Sequence, residues 1–278
     1  MERFSHSKIS SFEQCPQKYK FRYIDKIKPK IEKSIEVHLG SCVHHSLEWL
    51  YLSVKEGKIP TLEDLIVIYS ERWQEKYKPE YLIVRKELTA KDYFNKGVEF
   101  IVNYYLQNQP FSDNTLEVEK EIVITLGEEE YKIWGFIDRL AYNLETGEYE
   151  VHDYKTANSL PSKERIESDR QLALYSIAVK QIFGNDKEVK LIWHFLAYNK
   201  KIEIKKTDEE IEKVKEKTIS AIKEIISAKE FPPKKSRLCD WCEFKDICPA
   251  WGNSLEKQRE KEKENIENYP FLKKFIKE

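Results

Sequence analysis

The chain has little that would tie it to a membrane or a secretory route. No run of about 18 apolar residues exists, so no bilayer-spanning helix is expected. The opening residues, Met1-Glu2-Arg3-Phe4-Ser5, contain no apolar leader core. A cytoplasmic protein without a membrane partner is therefore the expectation. There is no internal repeat and no Gly/Ser-rich linker. No G-x-x-x-x-G-K-[ST] loop is present, which excludes the common nucleoside-triphosphate motor. Net charge is also lacking. With 48 Lys and Arg against 49 Asp and Glu the formal balance is −1, so bulk charge neither favours nor excludes a polyanionic partner. Cysteine is scarce and odd in number: Cys15, Cys42, Cys239, Cys242 and Cys248. An intracellular chain of 278 residues has no need of disulfides. Crowding of the last three into one short segment favours a metal or a cluster over bridges.

What is present reads as α/β. Residues 9–26 suggest a short aromatic-rich helix. Leu39, Val43, Leu47, Leu50 and Val54 recur at helical spacing and predict a helix over about 38–56. Further helices are expected over 61–79 and 89–107. The period then changes to two. Val118, Ile122, Ile124 and Leu126 alternate with polar residues, as do residues 130–142 and 147–156, with turns at Gly127-Glu128 and Glu145-Thr146-Gly147. The expectation is a three-stranded antiparallel meander. A helix at about 163–183 follows, then strands at 188–198 and 201–205. A charged helix at about 207–229 is stopped by Pro232-Pro233, and a terminal helix is expected over 253–277.

Two carboxylates and a lysine stand at the ends of neighbouring strands, in Gly135-Phe136-Ile137-Asp138-Arg139 and Val151-His152-Asp153-Tyr154-Lys155-Thr156. Alternation puts Asp153 and Lys155 on one face. Paired strands lie about 4.8 Å apart, so Asp138 and Asp153 could converge on one cation. Hard oxygen donors suit Mg²⁺ or Mn²⁺, which polarise a phosphate oxygen and acidify a bound water. A lysine two positions on can position that water and offset developing charge. Taken alone, a D-x-K pattern in so charged a chain is as well explained by solvent-facing strand residues.

The wider motif set is more specific. In order along the chain stand Ile9-Ser10-Ser11-Phe12-Glu13-Gln14-Cys15-Pro16-Gln17-Lys18-Tyr19, then Gly40-Ser41-Cys42-Val43-His44, then the two strand motifs. Gln171-Leu172-Ala173-Leu174-Tyr175 follows, and finally Cys239-Asp240-Trp241-Cys242 with Cys248. Over residues 9–250 the chain resembles the RecB-like branch of the PD-(D/E)XK nucleases, which includes the AddB nuclease domain, CRISPR-associated adaptation nucleases and exonuclease V. The resemblance implies a restriction-endonuclease-like core and hydrolysis of DNA phosphodiesters. It implies that His44, Asp138, Asp153 and the Tyr154 carbonyl hold Mg²⁺ or Mn²⁺ and that Lys155 is the catalytic lysine. Gln171 and Tyr175 would line the site and steer the strand; their i, i+4 spacing places them on one helical face. The adjacent His45 competes with His44, and only the motif's register favours His44.

Cys239, Cys242 and Cys248 follow a C-x2-C-x5-C pattern. The family pattern supplies Cys15 as the fourth thiolate. Four thiolates suit tetrahedral Zn²⁺ or a [4Fe–4S] cluster, and the resemblance favours the cluster. Cys42 is expected to be an unligated thiol packed against the meander.

The 16 Tyr, 13 Phe and 6 Trp are partly interleaved with cations, most clearly in Lys18-Tyr19-Lys20-Phe21-Arg22-Tyr23. That run suits either single-stranded DNA or a buried helix face. The reading is of one nuclease domain over 1–278, comprising a helical part (1–115), a catalytic core (116–206) and a C-terminal part with the cysteines (207–278). The resemblance makes exonuclease action on single strands or DNA ends, in repair or recombination, the first expectation. A CRISPR-associated nuclease beside an integrase and a non-catalytic DNA-end-binding subunit are the alternatives. Any unwinding would come from a separate helicase.

Overall fold

The computed structural model describes residues 3–31, 33–128, 131–257 and 260. The chain forms two compact units. One comprises residues 1–9 and 33–227; the other joins residues 10–32 to residues 228–278.

The larger unit is a mixed sheet with helices, the expected class. Its centre is β3 (Tyr131–Asn143), paired antiparallel along its length with β2 (Thr115–Leu126). The opposite edge of β3 is shared. Its start pairs in parallel with the short β1 (Phe4–Ser5), and its end pairs antiparallel with β4 (Glu148–Lys155). Parallel β5 (Val189–Phe195) and antiparallel β6 (Lys200–Ile204) complete the order β1-β3-β4-β5-β6. The predicted meander is therefore present. The two-residue β1 carries no periodicity and was not foreseen.

Parallel pairing of β4 with β5 needs a crossover, and helices supply it. The single helix expected at 163–183 is two, α6 (Lys163–Glu167) and α7 (Arg170–Phe183). The break lies at Ser168-Asp169, where the Asp169 side chain accepts the Leu172 amide at 2.9 Å and caps α7. At the chain start the expected single helix is likewise divided, into α1 (His6–Gln14), α2 (Pro16–Tyr19) and a π-turn at Lys20–Ile24. Proline at the first position of α2 is the local cause.

Three long helices pack together, α3 (Ile35–Lys55), α4 (Leu62–Lys76) and α5 (Ala90–Asn108), and α3 lies against β2 and β3 of the sheet. The last two start at capping boxes, Thr61 with Asp64 and Thr89 with Asp92. The α3 stripe of Leu39, Val43, Leu47 and Leu50 is buried in one core with Tyr69, Trp73, Phe100 and Tyr104. Cys42 belongs to this core and lies beside His38 and near Tyr69 of α4. Burial pushes its thiol up to about 11. One close approach fixes how α3 meets the residue that follows β4: a Cβ on Gly40 would lie 3.0 Å from Thr156 Oγ1. The amphipathic α8 (Asp208–Ser227) ends the unit. The terminal helix expected at 253–277 falls largely outside the described residues.

In the smaller unit, short 3₁₀ turns at Arg237–Trp241, Lys245–Ile247 and Pro249–Trp251 carry the cysteine motif. Phe21, Phe244 and Ile247 form its core. Lys18 pairs with Glu243 at 3.2 Å, and Arg22 pairs with the same carboxylate.

Candidate active site and cysteine centre

Paired register between β3 and β4 ends at Arg139 opposite His152. Asp138 and Asp153 are the next residues on each strand, so both stand where the two strands part. The Tyr154 amide donates to Asp138 Oδ2 at 2.8 Å and fixes that carboxylate. From α3, His44 brings Nδ1 to 3.5 Å from the same oxygen, while its Nε2–H donates to the Tyr154 carbonyl at 2.8 Å. His45 turns elsewhere and sits 3.6 Å from Glu48.

Glu119 of β2 joins this group. The ligand atoms of His44, Glu119 and Asp138 lie within 4.8 Å of one another. Sequence reasoning passed over Glu119, because Glu117, Glu119 and Glu121 alternate alike and only the folded strand distinguishes them. Burial and the neighbouring Asp138 push the Glu119 carboxyl up to about 7, although His44 opposes the rise. Burial works against a charged His44, but its contact with Asp138 and the pull of Asp153 raise it to about 9.

Asp153 is almost fully buried and takes the Lys155 ammonium at 2.6 Å. Burial raises its pKa, and the lysine holds it down. Burial also penalises the Lys155 charge, but Asp153 and Asp138 outweigh it and raise the lysine's pKa, so Lys155 is a cation at neutral pH.

Gln171 and Tyr175 occupy one face of α7. Their contacts are with the lysine and the sheet. Lys155 Nζ donates to Gln171 Oε1 at 2.9 Å, Gln171 Nε2 donates to Tyr175 Oη at 2.7 Å, and Tyr175 donates to the Phe136 carbonyl at 2.7 Å. The chain of donors runs one way and fastens the lysine to β3. Replacing Gln171 with leucine should therefore lower kcat by roughly tenfold to a hundredfold, since the contact that positions the lysine is lost, while a rise in KM would report a substrate contact at Gln171. Steady-state kinetics separate the two.

Behind the carboxylates lies a polar cluster the motif reading did not single out. Arg139 is 1 % exposed. Its Nε donates to Tyr154 Oη at 3.1 Å, and the guanidinium also reaches Thr115 Oγ1 at 3.2 Å, His152 Nδ1 at 2.7 Å and the Asp113 carboxylate. Its Cζ lies 3.9 Å from the Tyr51 ring centroid. His194 Nε2 donates to His152 Nδ1 at 2.9 Å, and burial keeps both imidazoles neutral. Tyr104 links Tyr51 and Tyr154 through hydroxyl contacts of 2.7 and 3.2 Å. Tyr154 thus offers its main chain to the site and its hydroxyl to this cluster.

A groove in the same unit runs past Asp138, with Trp134, Phe136, Gln171 and Tyr175 in its lining. Phe136 is 53 % exposed, on the strand face of Asp138 two residues away.

The smaller unit gathers Cys15, Cys239, Cys242 and Cys248 around one cavity, all as free thiols. The Lys234 amide donates to Cys15 Sγ and the Ser236 amide to Cys239 Sγ, each at 3.4 Å. Amide donors on sulfur stabilise thiolate charge, as a four-thiolate metal or cluster site requires. Burial raises the free thiols of Cys242 and Cys248, so their deprotonation calls for a cationic ligand. The Lys18–Tyr23 run is mainly packing here. Tyr19 stacks on Phe231 at 6.2 Å, Phe21 meets Phe244 at 5.6 Å, and Lys20 pairs with Asp25 at 2.7 Å.

Residues 3–249 match the family model described as PD-(D/E)XK nuclease superfamily. Among solved structures, the chain is similar to SSO0001, with 17% identity, a TM-score of 0.40, and coverage of 87% of this chain and 84% of that one. It is also similar to a protein described as "Putative exonuclease" from Eubacterium rectale, with 16% identity, a TM-score of 0.48, and coverage of 88% and 89%. No curated protein sequence matches the chain. Among the described residues, no helix is long and apolar enough to cross a membrane.

Proposed function

Because the chain belongs to the PD-(D/E)XK nuclease superfamily, whose members work with divalent metal ions, we propose that it is a RecB-like deoxyribonuclease acting as an exonuclease on single strands or DNA ends. The observation that carries the reading is the setting of Lys155, held between Asp153 and Gln171 beside the His44–Glu119–Asp138 group.

The donors present fit a hard cation: the Glu119 and Asp138 carboxylates and the His44 imidazole lie together, and the Tyr154 carbonyl meets His44. We assign His44, Asp138, Asp153 and the Tyr154 carbonyl to holding it. When bound, such an ion polarises the scissile phosphate and acidifies a water. Lys155, kept charged by Asp153, orients the attacking water and offsets negative charge as it develops on the phosphate. Gln171 and Tyr175 hold the lysine at its post. The half-exposed Phe136 ring supports the single-strand preference. An unpaired base can stack on it, whereas a base inside a duplex cannot reach it.

The test uses linear and circular single-stranded DNA and blunt duplex, incubated with Mg²⁺ or Mn²⁺. Shortening of linear single strands from an end, with circles spared, is expected. Cutting of circles would replace exonuclease with endonuclease action, and no cleavage of any substrate would remove the nuclease reading.

For the four cysteines we propose a [4Fe–4S] cluster with a structural role, joining residues 10–32 to the C-terminal segment. The unit's core is small, so ligand binding there is folding energy. Cys242→Ser should lose the broad visible absorption of anaerobically purified protein and lower the melting temperature of this unit. Colourless wild-type protein carrying zinc would replace the cluster with Zn²⁺.

A further inference from the structure

We propose that Glu119 is a ligand of the active-site cation, forming with His44 and Asp138 a donor set that the motif residues alone do not contain. The inference takes the metal-dependent reading of this site as its ground and adds a ligand to it.

Register is the first argument. Val118 faces Arg139 and Lys120 faces Ile137, so Glu119 lies across from Asp138. Like charges directly opposite on paired strands repel. A cation between them turns that repulsion into attraction. Distance is the second. One ion with bonds of about 2.0–2.6 Å spans donor atoms that lie within 4.8 Å of one another. Backbone conformation is the third. Glu119 has φ +46 inside a strand, which a side-chain-bearing residue adopts at a cost. The neighbouring glutamates are otherwise engaged or exposed. Glu117 pairs with Lys55 at 3.5 Å and Lys120 at 3.2 Å, and Glu121 is exposed. The charged groups acting on Glu119 are Asp138, His44 and Glu48, so among the described residues no lysine or arginine neutralises it.

The experiment measures Mn²⁺ binding to metal-stripped, full-length protein by electron paramagnetic resonance, with melting temperature followed alongside. Wild type, Glu119→Gln and the ion-paired control Glu117→Gln are compared without DNA. Glu119→Gln should weaken Mn²⁺ binding at least about tenfold. Its metal-free form should melt above metal-free wild type, because the repulsion is gone, and Mn²⁺ should raise its melting temperature less. Glu117→Gln should match wild type in Mn²⁺ affinity and in the melting-temperature rise that Mn²⁺ produces. Should Glu119→Gln fail to fold, Glu119→Asp keeps the charge but shortens the reach, and it should also bind Mn²⁺ more weakly. Wild-type affinity in the folded Glu119 variant would overturn the inference, even where wild type cleaves DNA. Weakened binding in the variant of a protein that cleaves nothing would uphold the ligand and remove the nuclease reading. Failure of wild type to bind Mn²⁺ would overturn both.

Discussion

Asparagine in place of Asp153 should reduce DNA cleavage on the order of a thousandfold or more while leaving the protein folded. Two contributions disappear together. One carboxylate donor is lost from the proposed cation site, and Lys155 loses the partner at 2.6 Å that keeps it charged and placed. Folding should tolerate the change. The amide is nearly isosteric, and it removes a buried charge whose desolvation disfavours the native state. The released ammonium is 31% exposed and can turn to water. Single-turnover cleavage with saturating Mn²⁺, set beside the circular dichroism spectrum, checks both halves. Cleavage within tenfold of wild type would show that Asp153 is not part of the reacting machinery.

Arg139→Ala should have the largest effect on stability, about 3–5 kcal/mol, as for breaking a buried ion pair. Against a total of about 5–15 kcal/mol, that is a large fraction. The guanidinium is the common partner of Tyr154, His152, Thr115 and Asp113 and lies over Tyr51. Its removal strands buried acceptors and opens a cavity among them. A fall in melting temperature of roughly 10 °C or more is expected. Arg139→Lys keeps the charge but not the fork, and should fall between wild type and alanine. Thermal unfolding followed by far-UV circular dichroism gives the order. Because Tyr154 carries the main-chain groups that meet His44 and Asp138, folded Arg139 variants should also cleave more slowly. A melting temperature for Arg139→Ala within 2–3 °C of wild type, roughly 1 kcal/mol, would contradict this account.

The sequence pattern carried the sheet's centre and the three long helices, for a physical reason. Much of β2 and β3 has one covered face, which imposes alternation, β4 is buried on both faces, and α3 must bury a stripe along its length. Features set by single contacts were not legible. The capping of α7 by Asp169 follows from one side-chain hydrogen bond. Parallel pairing of Phe4-Ser5 with β3 involves residues far apart in the chain and too few to show a period. In the site, Asp138, Asp153, Lys155 and His44 were visible as motif residues. Gln171 and Tyr175 were visible as residues, but their contacts with Lys155 and the Phe136 carbonyl belong to tertiary structure. Glu119 and the setting of Arg139 were hidden for opposite reasons. Glu119 is one of three alternating glutamates, and its positive φ is written in no local pattern. Arg139 points away from Asp138 by strand alternation, into a cluster assembled from five segments of the chain.

The most direct test of the central claim follows end-labelled single-stranded DNA under wild-type protein stripped of divalent ions, before and after Mg²⁺ or Mn²⁺ is restored. The account predicts no cleavage in chelator and cleavage on restoration, lost again with Asp138→Asn. Cleavage that persists in chelator, or none at all from folded protein with its four cysteines liganded, would contradict it.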